Sequence, residues 1–212
     1  MTVTAPPAVV RILALGDSYT IGEGVRDEER WPTRLAALLR ARGLQVAEPI
    51  IIAKTGWTTD ELARAIDREP RRGGRIEPPF RADLVTLLIG VNNQFRGRSV
   101  AEYRNEFRDL VGRAIAFAGG NPSRVIVLSV PDWGVTPFAH GRDRAQIARE
   151  IDAFNAANRD ESATAGVHYV DITGDTRSAP SAVTSDGLHP SPAMYERWAA
   201  VALPVALRAL SS

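Results

Sequence analysis

Five times along this 212-residue chain, a short and continuously apolar run leads into a polar turn and then a helical pattern. The runs cover residues 9–15, 45–53, 84–89, 124–130 and 167–172, and all are rich in Val, Ile and Leu. A strand with one wet face would alternate apolar and polar residues. These runs do not, so each reads as a strand covered on both faces. Between them lie helical segments with identifiable ends. Residues 31–42 stop at Gly43, and Thr58 with Glu61 offers a capping box for a helix to about Glu69. Ser99 with Glu102 offers another for a helix ending at Gly119 and Gly120, and residues 143–163 and 191–210 complete the set. The alternation predicts α/β architecture: a three-layer α/β/α sandwich with a five-stranded parallel sheet. No repeat or low-complexity linker interrupts it, so residues 1–212 are expected to form a single domain.

Composition narrows the function classes. Apolar residues make up 44% of the chain and charged ones 24%, with a formal net charge of +1, as in ordinary globular proteins. Lys54 is the single lysine, so nearly all positive charge is arginine, interspersed with acids. The densest basic stretch, Arg71, Arg72 and Arg75 among glycines and prolines, reads as a solvated loop. Nucleic-acid binding would need a basic bias on one face, so no nucleic-acid partner is expected. The absence of cysteine excludes disulfides, thiolate nucleophiles and cysteine-ligated metals. No apolar stretch approaches the ~20 residues of a membrane helix. Residues 1–8 lack the features of a signal peptide, and the apolar run after them leads straight into a functional-looking turn. A cytoplasmic location is the expectation, with an export signal trimmed from the chain as the alternative.

In a parallel sheet of this kind, ligands bind at the carboxyl ends of the strands, so the residues just past each strand matter most. The first run leads to Gly16-Asp17-Ser18-Tyr19-Thr20, the second to Lys54-Thr55-Gly56-Trp57 and the third to Gly90-Val91-Asn92-Asn93. The fourth leads to Pro131-Asp132-Trp133-Gly134, and the last loop holds Asp186-Gly187-Leu188-His189-Pro190. Acyl transfer needs an exposed hydroxyl, a base for its proton, an acid to orient the base, and donors for an oxyanion. Ser18 supplies the hydroxyl, two residues beyond a glycine that permits a sharp exit from the strand. Asp186 and His189 can fold so that the carboxylate accepts from the imidazole Nδ1–H. Gly56 can present a backbone N–H, and Asn92 a side-chain amide, to one oxygen. Taken singly, each piece has a plainer reading: Gly-Asp-Ser as a turn or helix cap, Asp-x-x-His as a surface turn, Gly-x-Asn as a left-handed turn. The conjunction of all four, in order along the chain, carries the functional reading.

Those four blocks resemble the SGNH/GDSL hydrolase family, whose members contribute Ser, Gly, Asn and His from blocks in this order. Ser18 matches the first block, Gly56 the second, Asn92 the third, and Asp186 with His189 the last. The resemblance implies a flavodoxin-like sandwich and a serine esterase or acylhydrolase with a Ser18, His189, Asp186 triad. It implies an oxyanion hole made by the N–H groups of Ser18 and Gly56 with the Asn92 amide. Neither cofactor nor metal is implied, and the partner is a small-molecule ester. Tyr19 departs from the family's leucine, and Asn93 from the aspartate often found after the third-block asparagine.

Around the site, Trp57, Trp133 and Phe95 are candidates for lining a pocket or for packing under loops. Trp31 and Trp198 read as helix residues covering the sheet. Asp132 has no histidine at short spacing. Of the three histidines, His168 falls within a strand, and His140 precedes Asp143, which reads as a first-turn residue of a helix. Simple carboxylesterase, thioesterase, lysophospholipase and carbohydrate acetylesterase activities all suit this constellation. With no lid-like apolar hairpin, short acyl esters are the expectation. A non-catalytic flavodoxin-like module is the rival from another class. A metal-dependent phosphatase on Asp17 would want a second acid where Tyr19 stands.

Overall fold

The computed structural model describes residues 9–68 and 80–211. The stretch with Arg71, Arg72 and Arg75, and the expected helix end at Glu69, lie outside the described residues. Strands β1 (Ile12–Gly16), β2 (Ile50–Ala53), β3 (Leu84–Leu88), β4 (Val125–Leu128) and β5 (His168–Val170) form one sheet in the order β2-β1-β3-β4-β5. All its pairs are parallel, as expected. The strands are shorter than the apolar runs for local reasons. Pro49 has no N–H to give a ladder, so β2 begins only after it, and Val46 forms an isolated bridge to Val10. Ahead of β1, the Arg11 N–H is taken by the Asp83 carboxylate at 2.8 Å.

The helices are α1 (Ser18–Ile21), α2 (Trp31–Ala41), α3 (Thr59–Arg68), α4 (Val91–Phe95), α5 (Val100–Phe117), α6 (Arg144–Ala165), α7 (Thr173–Ser178) and α8 (Pro192–Ser211). Successive strand side chains point to opposite faces, and both faces are apolar. Ile12, Leu84, Leu88, Ile126 and Leu128 pack with α2 and α8, including Trp31 and Trp198. Leu13, Leu15, Val85, Leu87, Val125 and Val127 pack with α3, α5 and α6. Two cores on one sheet explain why the strand pattern is continuous rather than alternating.

Capping chemistry sets several helix starts. The Ser99 hydroxyl accepts from the Glu102 N–H, whose side chain in turn accepts from the Ser99 N–H. Glu61 accepts from both the N–H and the hydroxyl of Thr58, at 2.9 and 3.0 Å. Asp143 is the N-cap of α6 rather than a residue of its first turn, accepting from the Gln146 N–H at 2.9 Å. The α5–α6 seam holds a bidentate pair in which Arg108 Nε and Nη2 donate to Glu161 at 2.7 and 3.0 Å. This bond outweighs burial and holds the Glu161 carboxyl below its usual range. Among the described residues, no helix is long and apolar enough to cross a membrane.

The α5 face yields a stability test. Phe107 is fully buried, so Phe107→Ala should cost about 3–5 kcal/mol in urea unfolding. Val201, 41% exposed on α8, should give a change within about 0.5 kcal/mol as Val201→Ala. Equal midpoints for the two variants would refute this packing.

Candidate active site

β1 ends at Gly16, level with Ala53 of β2 and Leu88 of β3. The glycine is required there by space. A Cβ would overlap the Thr20 hydroxyl and come within 2.5 Å of the Leu88 carbonyl oxygen. Gly16 is not among the residues of positive φ, so the expected turn-permitting role is corrected to one of close approach. Asp17 caps the short helix α1 by accepting from the Tyr19 N–H at 3.0 Å, which places Ser18 as the first helical residue. The other Asp17 oxygen, Oδ2, is buried without a protein partner among the described residues. Burial outweighs the backbone hydrogen bonds and raises the Asp17 carboxyl to about 7.

The loops after β2 and β3 are tied to each other. Gly56 adopts φ +86°, the left-handed region, while a Cβ there would meet only Arg96 at 3.8 Å. Conformation, not space, therefore demands this glycine. The Thr55 hydroxyl donates to the Glu23 carboxylate. Arg96 donates to the Gly56 carbonyl at 2.6 Å, and Asn92 Nδ2 to the Trp57 carbonyl at 2.9 Å. Asn92 lies in α4, whose N-cap Gly90 has φ +128°. There too a side chain would collide, since a Cβ would lie 2.5–2.8 Å from the Tyr103 ring and hydroxyl. The left-handed asparagine of the plainer reading is absent, because no described non-glycine residue has positive φ. Asn93 is fully buried. Its carbonyl accepts from the Thr59 N–H at 3.1 Å and its amide donates to the Thr59 hydroxyl at 2.6 Å, fastening α4 to the start of α3.

The final loop is closed by an antiparallel bridge between Val183 and Pro190, and turns at Gly187 with φ +72°. His189 Nδ1 lies 2.6 Å from Asp186 Oδ2. Asp186 Oδ1 accepts from the Leu188 N–H, the His189 N–H and the Thr184 hydroxyl at 2.8, 3.0 and 2.8 Å. Partial burial works against ionisation, but these bonds outweigh it and hold the Asp186 carboxyl well below its usual range. Tyr19 presents its ring edge-on to His189, with centroids 5.8 Å apart, and packs on Trp198 at 6.0 Å. The tyrosine that replaces leucine thus links the Ser18 turn to the imidazole. His140 is exposed and His168 sits at the start of β5; neither lines the cleft.

Ser18, Gly56, Asn92 and His189 share a cleft of about 200 Å³ whose remaining walls include Phe95, Trp133 and Phe138. Trp57 is not among the lining residues; it packs against the α3/α5 core instead. Gln94 orients Trp133 by accepting from its Nε1–H at 2.7 Å, and is itself anchored on Glu150 at 2.6 Å. Asp132 is buried and ion-paired with Arg177 at 2.8 Å, which gives it a structural partner. Phe138 escaped the sequence reading. An aromatic beside Pro137 in a loop after a strand was the available signal.

Residues 14–197 match the GDSL-like Lipase/Acylhydrolase family. Among solved structures, the chain is similar to a lipase/acylhydrolase from Enterococcus faecalis, with TM-score 0.67 and 22% identity over 92% of this chain and 94% of that one. A family 3 carbohydrate esterase from Clostridium thermocellum gives TM-score 0.71 and 19% identity over 96% and 98%. The psychrotrophic esterase EstA from Pseudoalteromonas sp. gives 0.64 and 18% over 95% of each chain. At these identities the likeness is one of fold. No curated protein sequence matches the chain.

The buried Asp17 makes a signed prediction. Because its folded value is raised to about 7, the native state keeps a proton that the unfolded chain releases near pH ~4. Its contribution to stability therefore falls as pH rises through that window, and levels off above it. Asp17→Asn keeps an acceptor for Tyr19 but has no proton to lose. The stability difference, variant minus wild type, should rise with pH between the two values by at most about 1.4 kcal/mol per pH unit. Urea midpoints across pH would test it; a flat difference would mean that Asp17 folds ionised.

Proposed function

This chain belongs to the GDSL-like lipase/acylhydrolase family, and we propose that it is a carboxylic ester hydrolase acting through an acyl-enzyme on Ser18. The observation that carries this reading is the 2.6 Å contact between His189 Nδ1 and Asp186, with the imidazole in the cleft that also holds Ser18. Asp186, held ionised, fixes the tautomer with the proton on Nδ1. Nε2 is then free to take the Ser18 proton. Ser18 Oγ attacks the ester carbonyl, and the oxyanion accepts from the Ser18 N–H, the Gly56 N–H and the Asn92 amide. His189 returns its proton to the departing alcohol. Water, activated by the same imidazole, then releases the acid and restores Ser18.

Asn92 uses its amide to donate to the Trp57 carbonyl, which supports an oriented second N–H for the oxyanion. The small cleft, below the ~300–1,000 Å³ usual for ligand pockets, supports short acyl groups. Thioester, lysophospholipid and acetylated-sugar substrates would use the same groups.

The EstA structure is of that enzyme inhibited by monoethylphosphonate, and a phosphonate probe gives the test for this chain. A fluorophosphonate should label Ser18, and Ser18→Ala should lose both labelling and turnover of activated esters. His189→Ala should cost several orders of magnitude in kcat, while His140→Ala and His168→Ala retain activity. No labelling would favour a non-catalytic module, and labelling at another serine would overturn the assignment.

Asn92→Ala should lower kcat by on the order of 10²–10³ with little change in KM, because its amide acts on charge that develops in the transition state. Steady-state kinetics on a short-chain ester decide this. A rise in KM alone would make Asn92 a binding residue.

A further inference from the structure

We propose that the aromatic wall of this cleft and Arg142 together form a subsite for esters bearing a carboxylate beyond a short apolar spacer. The proposal rests on the serine-esterase reading and names its substrate class.

Phe95 and Phe138 are 48% and 39% exposed, the exposed aromatic residues among those described, and both line the same cleft. They come from different elements, the end of α4 and the 3-10 turn Pro137–Ala139, and meet at the buried Trp133. The ring centroids lie 5.4 Å (Phe95–Trp133), 6.0 Å (Trp133–Phe138) and 6.4 Å (Phe95–Phe138) apart. The Arg142 guanidinium carbon caps this triangle, 5.2, 5.4 and 5.5 Å from the centroids of Phe95, Trp133 and Phe138.

What sets Arg142 apart is that it stacks on three rings while its N–H edge is unused among the described residues. Its guanidinium makes no ion pair or hydrogen bond among the described residues, although the residue is exposed. Nearby arginines are engaged: Arg96 with Glu61 and the Gly56 carbonyl, Arg144 with the Thr136 carbonyl, Arg177 with Asp132 and Asp152. Asp143, its chain neighbour, is occupied in capping α6. A guanidinium stacked on rings is weakly hydrated and keeps its N–H edge available, the arrangement suited to bidentate carboxylate recognition. An apolar spacer lying along Phe95 and Phe138 would carry its terminal anion toward that edge. A quaternary ammonium ester on the same rings would meet like charge and would have to displace Arg142.

The test uses two substrate pairs, because the anion could belong to the acyl or to the alcohol portion. The acyl pair is p-nitrophenyl hemiglutarate against p-nitrophenyl valerate; the alcohol pair is 4-acetoxybenzoate against 4-acetoxybenzamide. In one pair, wild-type kcat/KM should favour the anionic member by about 10-fold or more, as a charge-assisted contact provides. Arg142→Gln should bring that ratio close to one, and Arg142→Lys should retain part of it. Absence of preference in both pairs, or its survival in Arg142→Gln, would overturn the subsite. So would equal loss in both variants, which would leave Arg142 as a prop for the rings. Neutral esters turned over without anionic preference would sink the subsite alone, whereas no turnover of any member would sink the esterase reading beneath it.

Discussion

The level ending of three parallel strands is the constraint on which the site depends. Gly16 pairs in register with Ala53 on one side and Leu88 on the other. Ser18, Gly56 and Asn92, each a few residues further on, therefore leave the sheet along one line. That register needs a backbone at Gly16 close enough for the Leu88 carbonyl and the Thr20 side chain to occupy a Cβ's place. Any side chain at that position would push β1 from β3, and the first two loops would part from the third. A packing requirement in the sheet is thus also a requirement on the site.

From that edge, the loops are fixed by bonds to one another rather than each by its own conformation. Asn92 holds the Trp57 carbonyl, Arg96 the Gly56 carbonyl, and Asn93 the start of α3. Arg96 is in turn ion-paired with Glu61, the acid that caps α3 through Thr58. Moving any one loop would break bonds in the other. Hydrogen-bond donors aimed at a developing charge are effective only when they need not reorganise, and for the proposed oxyanion hole this cross-bracing would supply that rigidity. On the opposite side, Tyr19 does the comparable work by packing, with its ring between the His189 imidazole and the Trp198 indole.

Much of this was legible in the sequence because burial on both faces leaves a strong pattern. The five strands, the long helices and the Ser99–Glu102 cap follow from apolar continuity and capping chemistry. Less legible were the elements too short to show a period. The residues after β1 read as a turn or helix cap and those after β3 as a turn; they form helices of four and five residues, the first capped by the Asp17 side chain and the second starting after Gly90. Strands stop short of their apolar runs where a proline or a competing carboxylate, Pro49 or Asp83, removes a ladder bond. For the candidate site, the residues themselves stand out by type and order. Their supports do not: that Asn93 anchors Thr59, that Asp132 belongs to Arg177, and that Phe138 joins Phe95 at the cleft are all tertiary facts. Trp57 shows the limit plainly: its place beside Gly56 left a pocket wall and packing under loops both open, and the structure takes the second, with the ring against the α3/α5 core and the carbonyl accepting from Asn92.

Two aspartates close to the cleft show how environment, not residue type, assigns charge. Asp186 is partly exposed and accepts from three donors on one oxygen and from the imidazole on the other, so its anion is stabilised. Asp17 accepts from the Tyr19 N–H, lies 1% exposed and leaves one oxygen without a protein partner among the described residues, so its neutral form is favoured. For the acyl transfer proposed at Ser18, this division has a direct consequence. In the proposed mechanism, a negative charge next to His189 would stabilise the imidazolium formed as the serine proton is taken. A second negative charge adjacent to Ser18 would oppose the oxyanion building on the substrate, in a site where low polarity strengthens every such interaction. Burying Asp17 reduces that opposition while its Oδ1 still caps α1, so the turn keeps its geometry with less of its charge.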